Sequence, residues 1–275
     1  MRRVACIMSA FMLLQATSAA GQVSTNARVS DLAANAAIGA VLAAARSMFG
    51  GHQFTRPIVL GGLGGAIQGA GRQVAAGRST ASGLIGRQLS TLGISLTYSA
   101  GSDSLVLIAP LWLITFEVRP RLQNRVRARV NLMDVAFVTS ALIQGRSLDV
   151  KSTLSVGAPV FTRQIAATDA MLGYTRMGVI FLTNGIPPAV RREVLSHEAV
   201  HLLQWDAYNQ LVAFPIERKL VRSVPGGRAL SRYLDLGVLS PAAALLLAQQ
   251  IRYERQPWER EAYLLTTGRP TAGPH

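Results

Sequence analysis

The chain has almost no sulfur chemistry and almost no lysine. A single cysteine, Cys6, stands among 275 residues. One thiol excludes an intramolecular disulfide framework and a cysteine-rich zinc module. Lysine occurs only at Lys151 and Lys219, so nearly all of the positive charge is arginine. Acids are scarce as well: 14 Asp+Glu face 28 Lys+Arg, for a formal charge of +14. Hydrophobic residues supply 49% of the chain and charged residues only 15%, a composition that excludes intrinsic disorder. The basic balance points first to nucleic acid or to an anionic surface.

The N-terminus decides between them. Met1-Arg2-Arg3 is a short positive start, Val4 to Leu14 is an apolar run, and Ser18-Ala19-Ala20 offers small residues for cleavage. Together they read as a secretory signal peptide over residues 1–20. The apolar run is shorter than a comfortable membrane-spanning helix. Cleavage would remove Cys6 and leave the mature chain without cysteine. Export separates the protein from cellular DNA and RNA. It redirects the charge toward an anionic membrane or envelope surface, in the periplasm or the outer envelope.

Residues 21–100 are rich in Ala and Gly. Leu32, Ile38, Val41 and Leu42 fall at helical spacing within Asp31 to Met48, and Gly50-Gly51 ends the pattern. The next segment, Ile58 to Ala76, carries Gly61, Gly62, Gly64, Gly65, Gly69 and Gly71. Each glycine costs a helix about 1 kcal/mol against alanine, so keeping six implies close backbone approach to a neighbour. Gly61, Gly65 and Gly69 lie four apart, the spacing that lets two helices touch. The expectation is a tight helical hairpin, packed in the protein or against a membrane. A third helical pattern runs from Ser79 to Tyr98.

The period then changes. Ser104 to Val118 is apolar apart from Pro110 and a few polar residues. Val126, Ala128, Val130 and Leu132 alternate with Arg127, Arg129 and Asn131, and Leu148, Val150, Leu154 and Val156 alternate with Asp149, Lys151, Thr153 and Ser155. Period two predicts antiparallel strands between residues 104 and 165, with the apolar side buried. Arg119, Arg121, Arg125, Arg127 and Arg129 would then form a solvated strand face, or a contact for anionic headgroups.

The chemistry lies further on. Residues 194 to 206 contain His197-Glu198-Ala199-Val200-His201, an HExxH motif. On a helix, positions i and i+4 share a face, so two imidazoles there can chelate one zinc ion. Glu198 can address the water on such an ion as general base. Pro187-Pro188 supply a first helical turn, and a short strand over Met177 to Leu182 precedes the helix. Two of only four histidines stand at this spacing; the others are His52 and His275. A metzincin continuation would need Gly at 204 and His at 207, where the chain has Gln204 and Ala207. The third ligand is then a carboxylate. Glu254, Glu259 and Glu261 are the downstream choices, and the last two project from opposite sides of a helix opened by Pro257.

These motifs resemble the gluzincins, zinc metallopeptidases in which a Glu on a later helix completes the HExxH site. Glu259-Arg260-Glu261-Ala262 matches their Glu-x-x-Ala pattern. The resemblance covers about residues 176–266. It implies zinc held by His197, His201 and Glu259, with Glu198 as catalytic base and a peptide or protein as substrate. Many relatives place Asp or Asn where this chain has Tyr263. Asp206, Asp235 or Glu261 would have to orient the histidines instead. An oxyanion donor is also implied, with Tyr208, Tyr253 and Tyr263 available. Residues 209–250 would be a helical insertion.

The expected architecture is therefore α+β. An Ala/Gly-rich helical region spans 21–100 and a zincin-like domain spans 101–275. The latter holds strands within 104–183, an active-site helix over 187–206 and a third-ligand helix over 257–266. The competing expectation is a membrane-associated envelope protein whose zincin-like domain is structural or inactive.

Overall fold

The computed structural model describes residues 25–48, 55–77, 79, 81–102, 104–120, 125–164, 172–248 and 256–267. The signal-peptide segment, His52, Arg121, Tyr253, Glu254 and His275 lie outside them. The chain is mixed α and β, and mostly helical.

Three long helices come first: α1 (Thr25–Met48), α2 (Thr55–Ala75) and α3 (Ser82–Ala100). Their glycines do what the spacing predicts. Gly61 and Gly65 of α2 meet α1 at Gly39 and Asn35, while Gly64 and Gly71 turn to α3 at Gly93 and Gly86. A methyl group on Gly64 would lie 2.6 Å from the Gly93 carbonyl oxygen and 2.7 Å from the Thr97 nitrogen. Backbone thus touches backbone on both sides of α2. Among the described residues one helix, the Arg28–Met48 part of α1, is long and apolar enough to cross a membrane by length and composition.

Two small sheets follow. The first has the order β1 (Leu107–Leu111), β2 (Ile114–Arg119), β3 (Arg125–Asn131), β8 (Leu234–Asp235), antiparallel except for the β3–β8 pair. The second has the order β4 (Ser147–Leu148), β5 (Val160–Arg163), β7 (Val179–Thr183), β6 (Gly173–Arg176), with β5 and β7 parallel. Helix α4 (Leu132–Ile143) and helix α5 (Val150–Val156) interrupt the strands. The expected strand over Leu148–Val156 is therefore mostly α5. Local capping overrides its alternation: the Asp149 carboxylate accepts from the Ser152 N–H at 3.0 Å, and Gly157 closes the helix at φ +72°.

The first sheet also reverses the expected sides. Arg129 and Asn131 of β3 are buried, while Val126 is 61% exposed. The inward face is a polar layer. Glu117, facing inward from β2, accepts from Arg129 at 2.5 Å and from Arg119 at 2.6 Å. Thr115 beside it accepts from Gln210 at 3.1 Å. The outward face is apolar across all three strands, with Leu107 beside Val118, Leu111 beside Ile114 and Val118 beside Val126. Periodicity gives the two faces of a strand but not which one turns inward. Here the buried cation is tolerated because a carboxylate pairs with it.

The remaining elements are α6 (Pro188–Tyr208), a π-helical turn (Asn209–Ala213), α7 (Phe214–Arg222), α8 (Gly227–Tyr233), α9 (Leu239–Ala248) and α10 (Pro257–Thr267). Helix α6 runs through the middle of the core. Ala199, Leu202 and Leu203 join Ala75 of α2, Val156 of α5, Val160 of β5 and Ile180 and Leu182 of β7 in one buried cluster. Among the described residues the two largest fully buried side chains are Arg72 and Arg87, on α2 and α3. Arg72 pairs with Glu261 at 2.6 Å, and Arg87 with Asp206 at 3.0 Å. The N-terminal helices are thus bound to both helices that carry the motif.

Gly64→Ala should lower stability by about 1–3 kcal/mol, since backbone must move to admit the methyl group. Gly62→Ala, whose added methyl would find its nearest neighbour at 3.6 Å, should be neutral or stabilising by up to about 1 kcal/mol. Thermal unfolding of the two variants checks this, and equal losses would refute the close-approach reading.

A second expectation concerns acid. Burial pushes the Glu117 carboxyl up, but Arg129 and then Arg119 outweigh it and hold it at about 2, below its ordinary 4.5. A depressed acid contributes stability that is present above its unfolded value and is lost as pH falls through its folded value. The protein should therefore lose stability between about pH 4.5 and about pH 2. Denaturant midpoints across that range should fall less steeply in Glu117→Gln.

Candidate metal centre

Helix α6 presents His197, His201 and Gln204 on one side, as 3.6-residue spacing requires. Proline at its first turn and a long apolar flank place the start of the helix and bury its middle. Helix α10 begins at Pro257 and lays Glu259 opposite the histidines. The His201 Nε2 lies 3.1 Å from the His197 Nε2 and 3.2 Å from the Glu259 Oε2. The His197 Nε2 lies 3.5 Å from the same oxygen. Three potential ligand atoms thus form a nearly equilateral triangle.

That triangle fits a metal ion. Ligands held tetrahedrally at about 2.0–2.1 Å are separated by about 3.3 Å, so the three edges match a tetrahedral face. Two neutral imidazoles and one carboxylate are a donor set for a first-row transition metal. His197, His201 and Glu259 are all buried and can hold such an ion. In the chain by itself they polarise one another. Burial would push His201 down, but Glu259, and then Glu198 and Gln204, hold it up at about 9. Burial would push Glu259 up, but His201 and His197 hold it well below the ordinary range.

Glu198 is buried beside the triangle. Its carboxylate accepts from the Thr175 hydroxyl at 2.8 Å, and the same hydroxyl lies 3.0 Å from the Glu198 carbonyl oxygen. Burial raises the Glu198 carboxyl, with His201 and His197 opposing. Thr175 belongs to β6, the outer strand of its sheet among the described residues. The strand expected to flank the motif, Met177–Leu182, is realised as β7 and is paired on both sides. The edge nearest Glu198 is therefore β6, two residues earlier in the chain than β7. Thr175 carried no sequence signal, because a lone threonine in a short strand is unremarkable until the fold brings it to Glu198.

The other named residues fall apart as follows. Glu261 points away from the triangle, toward Gln204 and Arg72. Asp206 pairs with Arg87 and Asp235 with Arg218, so neither touches the histidines. The Tyr263 ring lies against His197 with centroids 4.6 Å apart. Tyr208 instead sits in an apolar cluster with Ile38 and Val212, and burial pushes its phenol up to about 12. No protein-family model, curated protein or solved structure matches this chain. The functional reading rests on the site itself.

Proposed function

We propose that the protein is an exported zinc metallopeptidase. The observation that carries this is the His197, His201 and Glu259 triangle, with a buried glutamate, Glu198, next in sequence to the first histidine. Two imidazoles and a carboxylate at tetrahedral edge lengths suit zinc. Zinc held there supplies Lewis acidity toward water and toward a scissile carbonyl.

The chain's own groups do the rest. Glu198 takes a proton from the attacking water and passes it to the leaving amine. Thr175 donates to one Glu198 oxygen, which fixes the carboxylate and leaves its other oxygen for that transfer. Strand β6 offers an edge along which an extended peptide can add as a further strand. The ring of Tyr263 packs against His197, which makes its phenol our choice of donor to a developing oxyanion. The resemblance to gluzincins supports the same assignment of His197, His201, Glu259 and Glu198.

The wild-type chain should bind one equivalent of zinc by metal analysis and cleave unstructured peptides. Glu198→Gln should keep the zinc and lose at least about 10²-fold in kcat, as expected for an acid–base group. His201→Ala and Glu259→Ala should lose the zinc. Zinc retained in both of these variants would refute the site.

A second reading concerns where the protein works, and the apolar outer face of the first sheet favours it. Leu111, Trp112 and Val126 are 57%, 42% and 61% exposed there. Among the described residues nine acids are buried against four arginines, so their outer surface carries an excess of positive charge. An apolar face on a cationic surface suits docking on an anionic bilayer. The protein should float with phosphatidylglycerol vesicles and less with phosphatidylcholine vesicles. Leu111→Glu/Val126→Glu should lose most of that binding, whereas undiminished binding of this variant would exclude the sheet as the docking face.

A further inference from the structure

The metal triangle is backed by a polar chain in which Glu261 accepts from Gln204 on the histidine side and from Arg72 on the other. The His201 Nδ1 lies 2.8 Å from the Gln204 Oε1. The Gln204 Nε2 donates to the Glu261 Oε2 at 2.8 Å and to the Trp258 carbonyl at 3.1 Å. The Glu261 Oε1 accepts from the Arg72 Nε at 2.6 Å. Arg72 donates onward to the Asn35 side-chain oxygen, and the Asn35 amide donates to Asp31 on α1. The side chains of His201, Gln204, Glu261, Arg72, Asn35 and Asp31 are all buried.

The direction matters because an amide can face either way. Gln204 stands before two groups that only accept, a carboxylate and a carbonyl, so its NH₂ must face them. Its oxygen is left facing His201. That oxygen can only accept, so the His201 Nδ1 carries a proton, and Nε2 is the nitrogen that faces Glu259 and His197 and would give up its proton to a metal. Arg72 can only donate, so Glu261 meets a donor on each of its two oxygens. A metal-binding histidine needs its other nitrogen held in this manner.

We infer that Gln204, Glu261 and Arg72 are positioning residues that lock His201 in its metal-ready tautomer, making the glycine-rich N-terminal helices part of the metal centre. This rests on the metal-centre reading above and deepens it. The acid beyond Ala262 in many gluzincins is replaced here by a relay. Its amide comes from α6, its carboxylate from α10 and its cation from α2. The carboxylate reaches the histidine through an amide rather than directly.

The test compares zinc affinity, by competition with a chromogenic chelator, in the full chain and in Gln204→Leu and Glu261→Gln. Gln204→Leu removes the acceptor. Glu261→Gln keeps the shape but lets the Gln204 amide turn round. Each should weaken zinc by about 10–100-fold. Each should also shift the visible absorption of the cobalt-loaded protein, a signature that loss of stability alone would not move. The double variant Gln204→Glu/Glu261→Gln restores an acceptor for His201 and a donor between the two positions, and should recover part of the lost affinity. Circular dichroism and thermal midpoints identify a variant that fails to fold, and the isosteric Glu261→Gln then decides. Zinc affinities within about twofold of wild type in both single variants would overturn the relay and leave the peptidase reading intact, since removing such a partner normally costs far more. Wild-type protein that binds no zinc would overturn both. Zinc binding with the expected losses but no peptide hydrolysis would support the relay and overturn the peptidase reading alone.

Discussion

A helix whose central part carries two histidines, two acids and a glutamine must be buried for these groups to converge, and burial of each is costly unless it is paired. That constraint shapes the protein. In the central part of α6, Glu198, His201, Gln204 and Asp206 are all buried. Each is answered by a group from another element: Thr175 of β6, Glu259 of α10, Glu261 of α10 and Arg87 of α3. Two of the answers depend on arginines so deep that they are the largest fully buried side chains among the described residues. Breaking such a pair by removing one partner typically costs about 3–5 kcal/mol, so the arginines are structural necessities wherever the acids are kept.

The glycines follow from the arginines. An arginine reaches a buried acid on a neighbouring helix only if its own helix runs close beside that neighbour. Gly64 and Gly71 let α2 lie backbone to backbone on α3, and Gly61 and Gly65 do the same on α1. Arg72 then emerges next to Gly71 at the level of Glu261, and Asn35 of α1 is close enough to accept from it. The composition bias of residues 21–100 thus has a packing explanation that no membrane is needed to supply. Its apolar character in α1 and α2 is spent partly on these helix crossings.

Legibility in the sequence followed the range of the interaction. The active-site helix and the third-ligand helix were readable within two residues at either end, because prolines and a 3.6-residue motif are local signals. The choice between Glu259 and Glu261 followed from their opposite projection once the gluzincin pattern was applied, and the chain brings Glu259 to the histidines. Asp149 and Gly157 were local signals too, yet the alternation around them outweighed the caps and suggested a strand. The sides of the first sheet were not readable, since a buried Arg129 becomes acceptable only when Glu117 arrives from another strand. Nor was the relay: Arg72 and Glu261 are 189 residues apart, and nothing near either names the other.

The distribution of charge connects the site to the surface. With so few acids, the chain places Glu117, Asp206, Asp235, Glu259 and Glu261 inside, each beside a cation or a histidine. The first sheet can turn its charged side inward because one carboxylate, Glu117, pairs with both Arg129 and Arg119. What remains outside on that sheet is aliphatic and aromatic. A soluble protein gains nothing from exposing a continuous apolar sheet face, and large patches of this kind mark interaction sites. A second copy of the chain would bring one cationic surface against another. An anionic bilayer would meet both the apolar face and the charge, so on the proposed reading the inward use of acids that forms the candidate metal site also leaves an outer face suited to a lipid surface.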